Sequence, residues 1–371
     1  LVRAGRLANP SFSFGRLSGN GVVEIDRALL FDVLGLVTMP LAKQVEQRRF
    51  EQVQLQAAFE TVGLAGEARK AFFDAVTAQQ LVGYFGQVKE AADASNELAR
   101  RMAAVGNFSK LEQLREQSFY ADATAQLARA QHQAVAARER LTRILALSGG
   151  QLAFTLPDRL PDLPTAPAEP RDAQQTAMDK RLDVQIAKHA AEASAKALGL
   201  TKTTRFINVL HAGFQNKSLT DAQRSSGYEI ELELPLFDFG SARVARAEAT
   251  YMQAVNRTAQ VAINAQSEVR ETYSAYRSAY DLAKHYRDEV VPLRKRISEQ
   301  NLLRYNGMLA SVFELLADSR DQIASVTTAV ESLRDYWVAE TNLQAALTGR
   351  SPGASPGMGP AKSAAAAQAA H

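Results

Sequence analysis

The 371-residue sequence contains no cysteine, one tryptophan and five histidines. Without thiols these 371 residues hold no disulfide, no thiolate metal site and no lipid-bearing cysteine, while lipidation upstream of Leu1 and the redox compartment stay open. The histidines, His132, His189, His211, His285 and His371, are scattered, and none stands at metal-ligand spacing from another. His189-Ala190-Ala191-Glu192 lacks the second histidine of a zinc-protease motif. No Ser-His-Asp set or glycine-rich phosphate loop is present, so neither an enzyme nor a cofactor is expected. Charge of one sign is also missing. The 43 basic and 40 acidic residues are spread along the chain and leave a net +3, which gives nucleic acid no electrostatic footprint. Long apolar runs are missing too: the nearest, Ala28 to Ala42, is interrupted by Asp32 and Pro40. A helical membrane span is therefore excluded, and any crossing must be made with strands. The chain opens at Leu1 without an initiator methionine or an apolar leader, so a targeting segment is expected upstream.

What is present is a well-patterned chain with 46% hydrophobic and 22% charged residues, enough to build a core. It contains an internal repeat with a period of roughly 200 residues. Met39-Pro40-Leu41 corresponds to Leu234-Pro235-Leu236, Ala104-Val105-Gly106-Asn107-Phe108 to Tyr305-Asn306-Gly307-Met308-Leu309, and Leu145-Ala146-Leu147-Ser148-Gly149 to Ala345-Ala346-Leu347-Thr348-Gly349. Each copy reads as two strands, a very long helix, a glycine turn and a return helix.

Alternation of period 2 marks the strands. Tyr228, Ile230, Leu232 and Leu234 fall on one side, and Glu229, Glu231 and Glu233 on the other, so one face suits lipid and the other water. In the first copy Val23, Ile25, Leu29 and Phe31 oppose Glu24, Asp26 and Asp32, with Arg27 as the misfit. Weaker strands precede each, around Phe12 and Phe14 and from Arg205 to Gln215. The hairpins turn near Ser18-Gly19-Asn20 and between Asn216 and Gly227.

After each hairpin the period becomes helical. Val255, Ala259, Ala262, Val269, Tyr273, Tyr276, Tyr280 and Ala283 make a 3,4-spaced seam, answered by Leu316, Ile323, Val326, Val330, Leu333 and Trp337. Leu127, Ala130, Ala134, Ala137, Leu141 and Ile144 are the first-copy counterpart. Both hairpins are expected to be antiparallel coiled coils, each long arm spanning roughly 100 Å at 1.5 Å per residue.

The expected organisation is repeat one, 1–149, with strand hairpin 9–39, long helix 41–105 and return helix 109–147. A proline-rich linker follows at 150–171. Repeat two, 172–349, comprises helix 172–200, strand hairpin 205–238, long helix 240–305 and return helix 312–347, and 350–371 is a disordered tail. Helix 172–200 is expected to stack on the first return helix and complete the cover of the first long helix. The fold class is mainly α with a small β part.

Four strands cannot close a barrel, and open edges in lipid leave backbone groups unpaired. Copies of the same chain must complete it, and three copies give twelve strands. The helices then form a ring about 100 Å long by the same rise per residue, which matches a periplasmic conduit anchored in an outer membrane.

Three stretches add a family resemblance covering 1–349. Ala4-Gly5-Arg6-Leu7-Ala8-Asn9-Pro10, Pro235-Leu236-Phe237-Asp238-Phe239-Gly240, and Arg304-Tyr305-Asn306-Gly307 with Leu315-Leu316 resemble, in this order, the helix-to-strand junction, strand-to-helix exit and periplasmic tip of the TolC family of outer-membrane efflux proteins. The resemblance implies a homotrimer with a shared 12-stranded barrel and a helical tunnel. It also implies a passive conduit for efflux or type I secretion, partnered by a periplasmic adaptor and an inner-membrane pump. By the same resemblance, docking falls on the tips Val105, Gly106, Asn107, Asn306, Gly307 and Met308. Some members carry carboxylates just past the second tip; at that spacing this chain has Phe313 and Leu316, with Glu314 and Asp318 as the nearest aperture candidates.

Glu229, Glu231 and Glu233 are candidate pore-lining residues, against the plainer reading of a solvated face. The tyrosine seam reads as helix packing before it reads as a substrate ladder. Pro292 should kink its helix, either as a hinge or as a fixed bend. The rival reading is a periplasmic coiled-coil adaptor or structural protein, which leaves the strand hairpins and the duplication unexplained. Cargo and pump are not encoded in these features.

Overall fold

A computed structural model describes residues 5–19, 22–169, 172–207, 209–220, 224–233, 239–307 and 309–349. Strands β1 (Ser11–Gly19) and β2 (Val22–Asp32) lead into helix α1 (Val33–Ala104), which turns into α2 (Lys110–Ile144). After a stretch carrying one short 3-10 turn come α3 (Ala173–Lys180), α4 (Leu182–Thr203), β3 (Leu210–Leu219) and β4 (Ser225–Leu232). The last described elements are α5 (Ser241–His285), a π-helical turn (Tyr286–Val290), α6 (Val291–Asn306) and α7 (Val312–Thr348).

The fold is mainly helical with a small antiparallel sheet, and the two strand pairs are joined: the sheet order is β1-β2-β3-β4, every neighbour antiparallel. Residues from halves of the chain almost two hundred positions apart thus share one sheet, Leu29 standing opposite Phe214. At Gly213 a Cβ would run into the Leu29 carbonyl, so this close approach of β3 to β2 needs glycine.

Several boundaries differ from the sequence expectation, each for a local reason. Helix α1 begins at Val33 rather than near Leu41, because Asp32 caps it: its Oδ1 accepts from the Gly35 backbone N–H at 2.7 Å. Pro40 lies inside the helix. The expected helix 172–200 is two helices, broken where Arg181 takes an extended backbone. The Arg181 side chain, 1% exposed, instead reaches Glu268 and the Ala346 carbonyl. The expected helix 240–305 is also divided, because Pro292 has no N–H and its ring crowds the carbonyl four residues back, so the preceding turn widens into a π turn. Residues 234–238, which carry the second Pro-Leu signal, and 350–371 lie outside the described residues.

Two compact units are drawn from Leu1–Phe59 with Leu182–Ala265, and from Glu60–Arg181 with Gln266–His371. In the first, α4 contacts both long arms: Glu192 meets Arg48 of α1 at 3.4 Å, and the Thr258 hydroxyl of α5 donates to the Ala187 carbonyl. The second unit holds the aromatic core. Tyr276, Tyr280, Ala283, Tyr336 and Leu343 are buried with Leu163, and Trp337 stacks on Phe73 at 5.5 Å between centroids. Burial pushes the Tyr336 phenol well above its ordinary value, which leaves it a neutral packing group. The seam tyrosines are core residues, Tyr276 and Tyr280 being 1% and 3% exposed.

Candidate functional site: sheet faces and hairpin tips

Directly paired residues of neighbouring strands point to the same side, so the register sorts the sheet into two faces. One carries the row Phe12–Leu29–Phe214–Tyr228 across all four strands, then Phe31–Ala212–Ile230 and Leu210–Leu232. These side chains have no cover: Phe12, Phe214, Ile230 and Tyr228 are 66%, 56%, 65% and 87% exposed. Towards the strand turns the same face becomes polar, with Phe14–Arg27–Asn216–Ser226 and then Arg16–Ile25–Ser218.

The opposite face is charged. Glu231 pairs across the ladder with His211, whose Nδ1 lies 3.0 Å from its carboxylate, and His211 pairs in turn with Asp32. Lys217 reaches Glu24 at 3.7 Å and Asp26 at 3.6 Å. Glu229 stands opposite Gly213, and the Glu233 backbone N–H donates to the Val209 carbonyl. Glu229 and Glu231 therefore do share a surface, but with a lysine and a histidine. Sequence reasoning missed Lys217 and His211, although His211, Gly213, Gln215 and Lys217 alternate in the same phase on β3. Leu17 and Leu219, both paired with Glu24, and Leu30, opposite Gly213, are apolar exceptions on this side.

At the other signalled positions the helices reverse. Gly106 has φ +80, and the Asn107 N–H donates to the Met102 carbonyl at 2.9 Å, a helix end that only glycine enters without strain. Ser109 then starts α2 with a reciprocal capping box: its hydroxyl accepts from the Glu112 N–H while its own N–H donates to the Glu112 carboxylate. These bonds hold the Glu112 carboxyl below its ordinary value. Val105, Leu111 and Leu114 project into solvent.

The second tip is built differently. Gly307 sits at φ −82, and the Leu309 N–H reaches the Arg304 carbonyl at 2.8 Å. Met308 lies outside the described residues, and Asn306 closes α6. Leu302, Leu303 and Leu309 are exposed here. Tyr305 and Phe108 pack on one cluster with Ala92, Phe119, Ala123 and Leu316, which brings the tips together. Of the aperture candidates, Glu314 is exposed and its backbone N–H donates to the hydroxyl of Ser311, which caps α7, whereas Asp318 is half-buried. Leu316 is buried in the tip cluster and therefore does not line an opening within this chain.

Among the described residues, no group of three or more His, Asp or Glu side chains is arranged to hold a metal ion, and no helix is long and apolar enough to cross a membrane. No protein-family model matches the sequence, and no curated protein matches it either. Solved structures do. A membrane protein from Pseudomonas aeruginosa superposes with a TM-score of 0.80 at 18% identity, over 94% of this chain and 83% of that one. CusC, described through its transmembrane channel formation, gives 0.77 at 18% identity over 93% and 84%. The outer-membrane protein VceC of Vibrio cholerae gives 0.76 at 14% identity over 94% and 89%. At these identities the likeness is one of fold: the chain has the architecture of the outer-membrane factor channels, the TolC-like fold that its sequence motifs resemble.

Proposed function

We propose that this chain is one subunit of an outer-membrane channel that conducts cargo passively across the periplasm and outer membrane in an efflux or secretion system. The observation that carries the reading is the sheet. Its uncovered row from Phe12 to Tyr228 is backed by a charged face, the pattern of a strand wall between lipid and water. The outer edges of β1 and β4 have no partner strand within the chain's own sheet, and lipid tolerates no open edge. Three copies pairing β4 to β1 close twelve strands. Glu229 and Glu231 then face the lumen beside His211 and Lys217, so the wall has mixed charge rather than an acidic ladder. The exposed apolar tips, with Val105, Asn107, Asn306 and Leu309, are the surface for a periplasmic adaptor, and the pump behind it supplies the energy. The fold of CusC and VceC supports this reading. A coiled-coil adaptor would have no use for a sheet with one face bare.

The test is to express the protein with its native leader, fractionate membranes and measure mass by light scattering in detergent, followed by conductance in planar bilayers. A trimer from the outer-membrane fraction that forms open pores is expected. A water-soluble monomer or dimer would sink the reading.

A further inference from the structure

The bare face of the sheet ends in arginines. The register puts Arg27 on the first row beyond Phe12–Leu29–Phe214–Tyr228, between Phe14 and Asn216, and Arg16 on the next row, opposite Ile25. Arg224 stands two residues before Ser226 of β4, in the same phase of alternation and just outside the strand. All three are exposed, and among the described residues no carboxylate lies within ion-pair reach of them. The five carboxylates of the strands, Glu24, Asp26, Asp32, Glu229 and Glu231, all stand on the other face. There Lys217 and His211 find acidic partners.

Arg16 and Arg27 are diagonal neighbours across β1 and β2, which sets their backbones roughly 7–8 Å apart. Two guanidinium groups at that spacing, with no carboxylate beside them, repel each other until an anion lies between. Each presents a planar fork of N–H donors that matches two phosphate oxygens at once. Asn216, Ser218 and Ser226 add amide and hydroxyl groups on the same rows. The band is held firmly: the Thr220 N–H donates to the Val23 carbonyl at 3.1 Å, and the Val23 N–H to the Thr220 hydroxyl at 3.0 Å, locking β3 to β2 at this end. Its height is fixed as well. Rows on one face of a strand follow each other at roughly 7 Å, so the arginines begin one row past the aromatic side chains, at the opposite end of β2 from the Asp32 junction with α1.

We propose that this band grips the phosphate groups of a membrane glycolipid of the lipid A type, in the leaflet reached by the strand turns. The inference rests on the channel reading, in which the bare face meets lipid and the helices lie on the periplasmic side. An apolar wall with a cationic rim fits a lipid whose acyl chains and phosphates sit at neighbouring heights. The chains lie against Phe12, Phe214 and Tyr228, while Arg27 and Arg16 extend along the wall to the headgroup. Three copies of the chain repeat the contact around the barrel.

Native mass spectrometry of the purified full-length protein in detergent, titrated with bisphosphorylated lipid A, counts the lipid retained. Lipid A should bind more tightly than its dephosphorylated form and than phosphatidylglycerol. Arg16→Gln with Arg27→Gln should weaken lipid A binding about thirtyfold, at roughly fivefold for each arginine near the membrane surface. Arg16→Lys with Arg27→Lys should recover part of the loss, and Lys217→Gln, on the other face, should change nothing. Equal binding of the three lipids, a paired glutamine variant that binds like the unmodified chain, or displacement of lipid A by millimolar inorganic phosphate would overturn the proposal. If the glutamine pair fails to assemble, the comparison of lipid A with its dephosphorylated form on the unmodified protein decides. A protein that inserts and conducts yet does not prefer the phosphorylated lipid loses this inference alone, whereas a water-soluble monomer or dimer sinks the channel reading with it.

Discussion

Two tyrosines show how differently two regions of this molecule treat apolar surface. Tyr228, on β4, is 87% exposed in a row of exposed apolar side chains, whereas Tyr276, on α5, is 1% exposed and its hydroxyl accepts from the Ala168 N–H of the proline-rich connection. The helical unit completes itself: Tyr276, Tyr280, Tyr336 and Trp337 pack with ring centroids 5.1 to 5.8 Å apart, the polar atoms of Tyr276, Tyr280 and Trp337 find backbone carbonyls and amides of residues 161–168, and the Tyr336 hydroxyl meets that of Tyr276. The sheet does the reverse. Its three inner ladders are formed, but among the described residues no layer covers its apolar side, and a sheet gains little stability until that side is covered. The difference teaches that one region folds for itself and the other for its surroundings.

The comparison can be broken most directly with one phenylalanine from each region. Phe73→Ala, in contact with Val76, Leu160 and Trp337, should cost about 3–5 kcal/mol in denaturant unfolding followed by helical signal. Phe214→Ala should leave that same transition within about 0.5 kcal/mol, since Phe214 has no core to lose. Reversed magnitudes would mean that the sheet has a core of its own. The next largest effect sharpens what covers the bare face: Phe214→Arg should cost about 2–4 kcal/mol per chain in folding titrations into lipid vesicles, and Glu231→Gln, on the other face, should not disturb insertion. Equal insertion of the Phe214→Arg chain would place that face away from lipid.

Within the helical region, the two tips offer a smaller contrast. Gly106→Ala forces a Cβ into left-handed backbone and should cost about 1–2 kcal/mol. Gly307→Ala, at φ −82, should change stability by less than about 0.5 kcal/mol; thermal melts of the two variants compare them. The smallest effect is a pH dependence. Burial raises the Glu340 carboxyl above its ordinary value of 4.5, against the opposing pull of Arg69 at 2.9 Å. A raised folded-state value means that its stabilising contribution is full below pH 4.5 and is lost as pH rises through the higher value. Glu340→Gln should therefore stabilise the protein at pH 7, and the gain should disappear when melts are repeated at about pH 4.

The strands around Phe31 and Ile230, the seam through Tyr276 and Tyr280 and the reversals at Gly106 and Gly307 were legible because each leaves a local period or a turn residue. The α1 start was missed at Asp32, where a capping carboxylate outweighed the apolar run that followed. The break at Arg181 carried no local signal at all: it exists because a side chain finds Glu268 and Ala346, far along the chain. The acidic face of β4 was legible, but the placing of His211 against Glu231 and of Lys217 against Glu24 and Asp26 was not, since that depends on strand register.

Sequence by itself determined the element types, the duplication and the two-faced character of the strands, because these follow from residue spacing along one backbone. Tertiary structure decided which strands share an edge, that the tyrosine hydroxyls of α5 bond to the backbone of the proline-rich connection, and that Gly106 and Gly307 take opposite signs of φ. Those outcomes depend on hydrogen bonds and packing between residues distant in sequence, or on a choice among backbone wells that glycine leaves open.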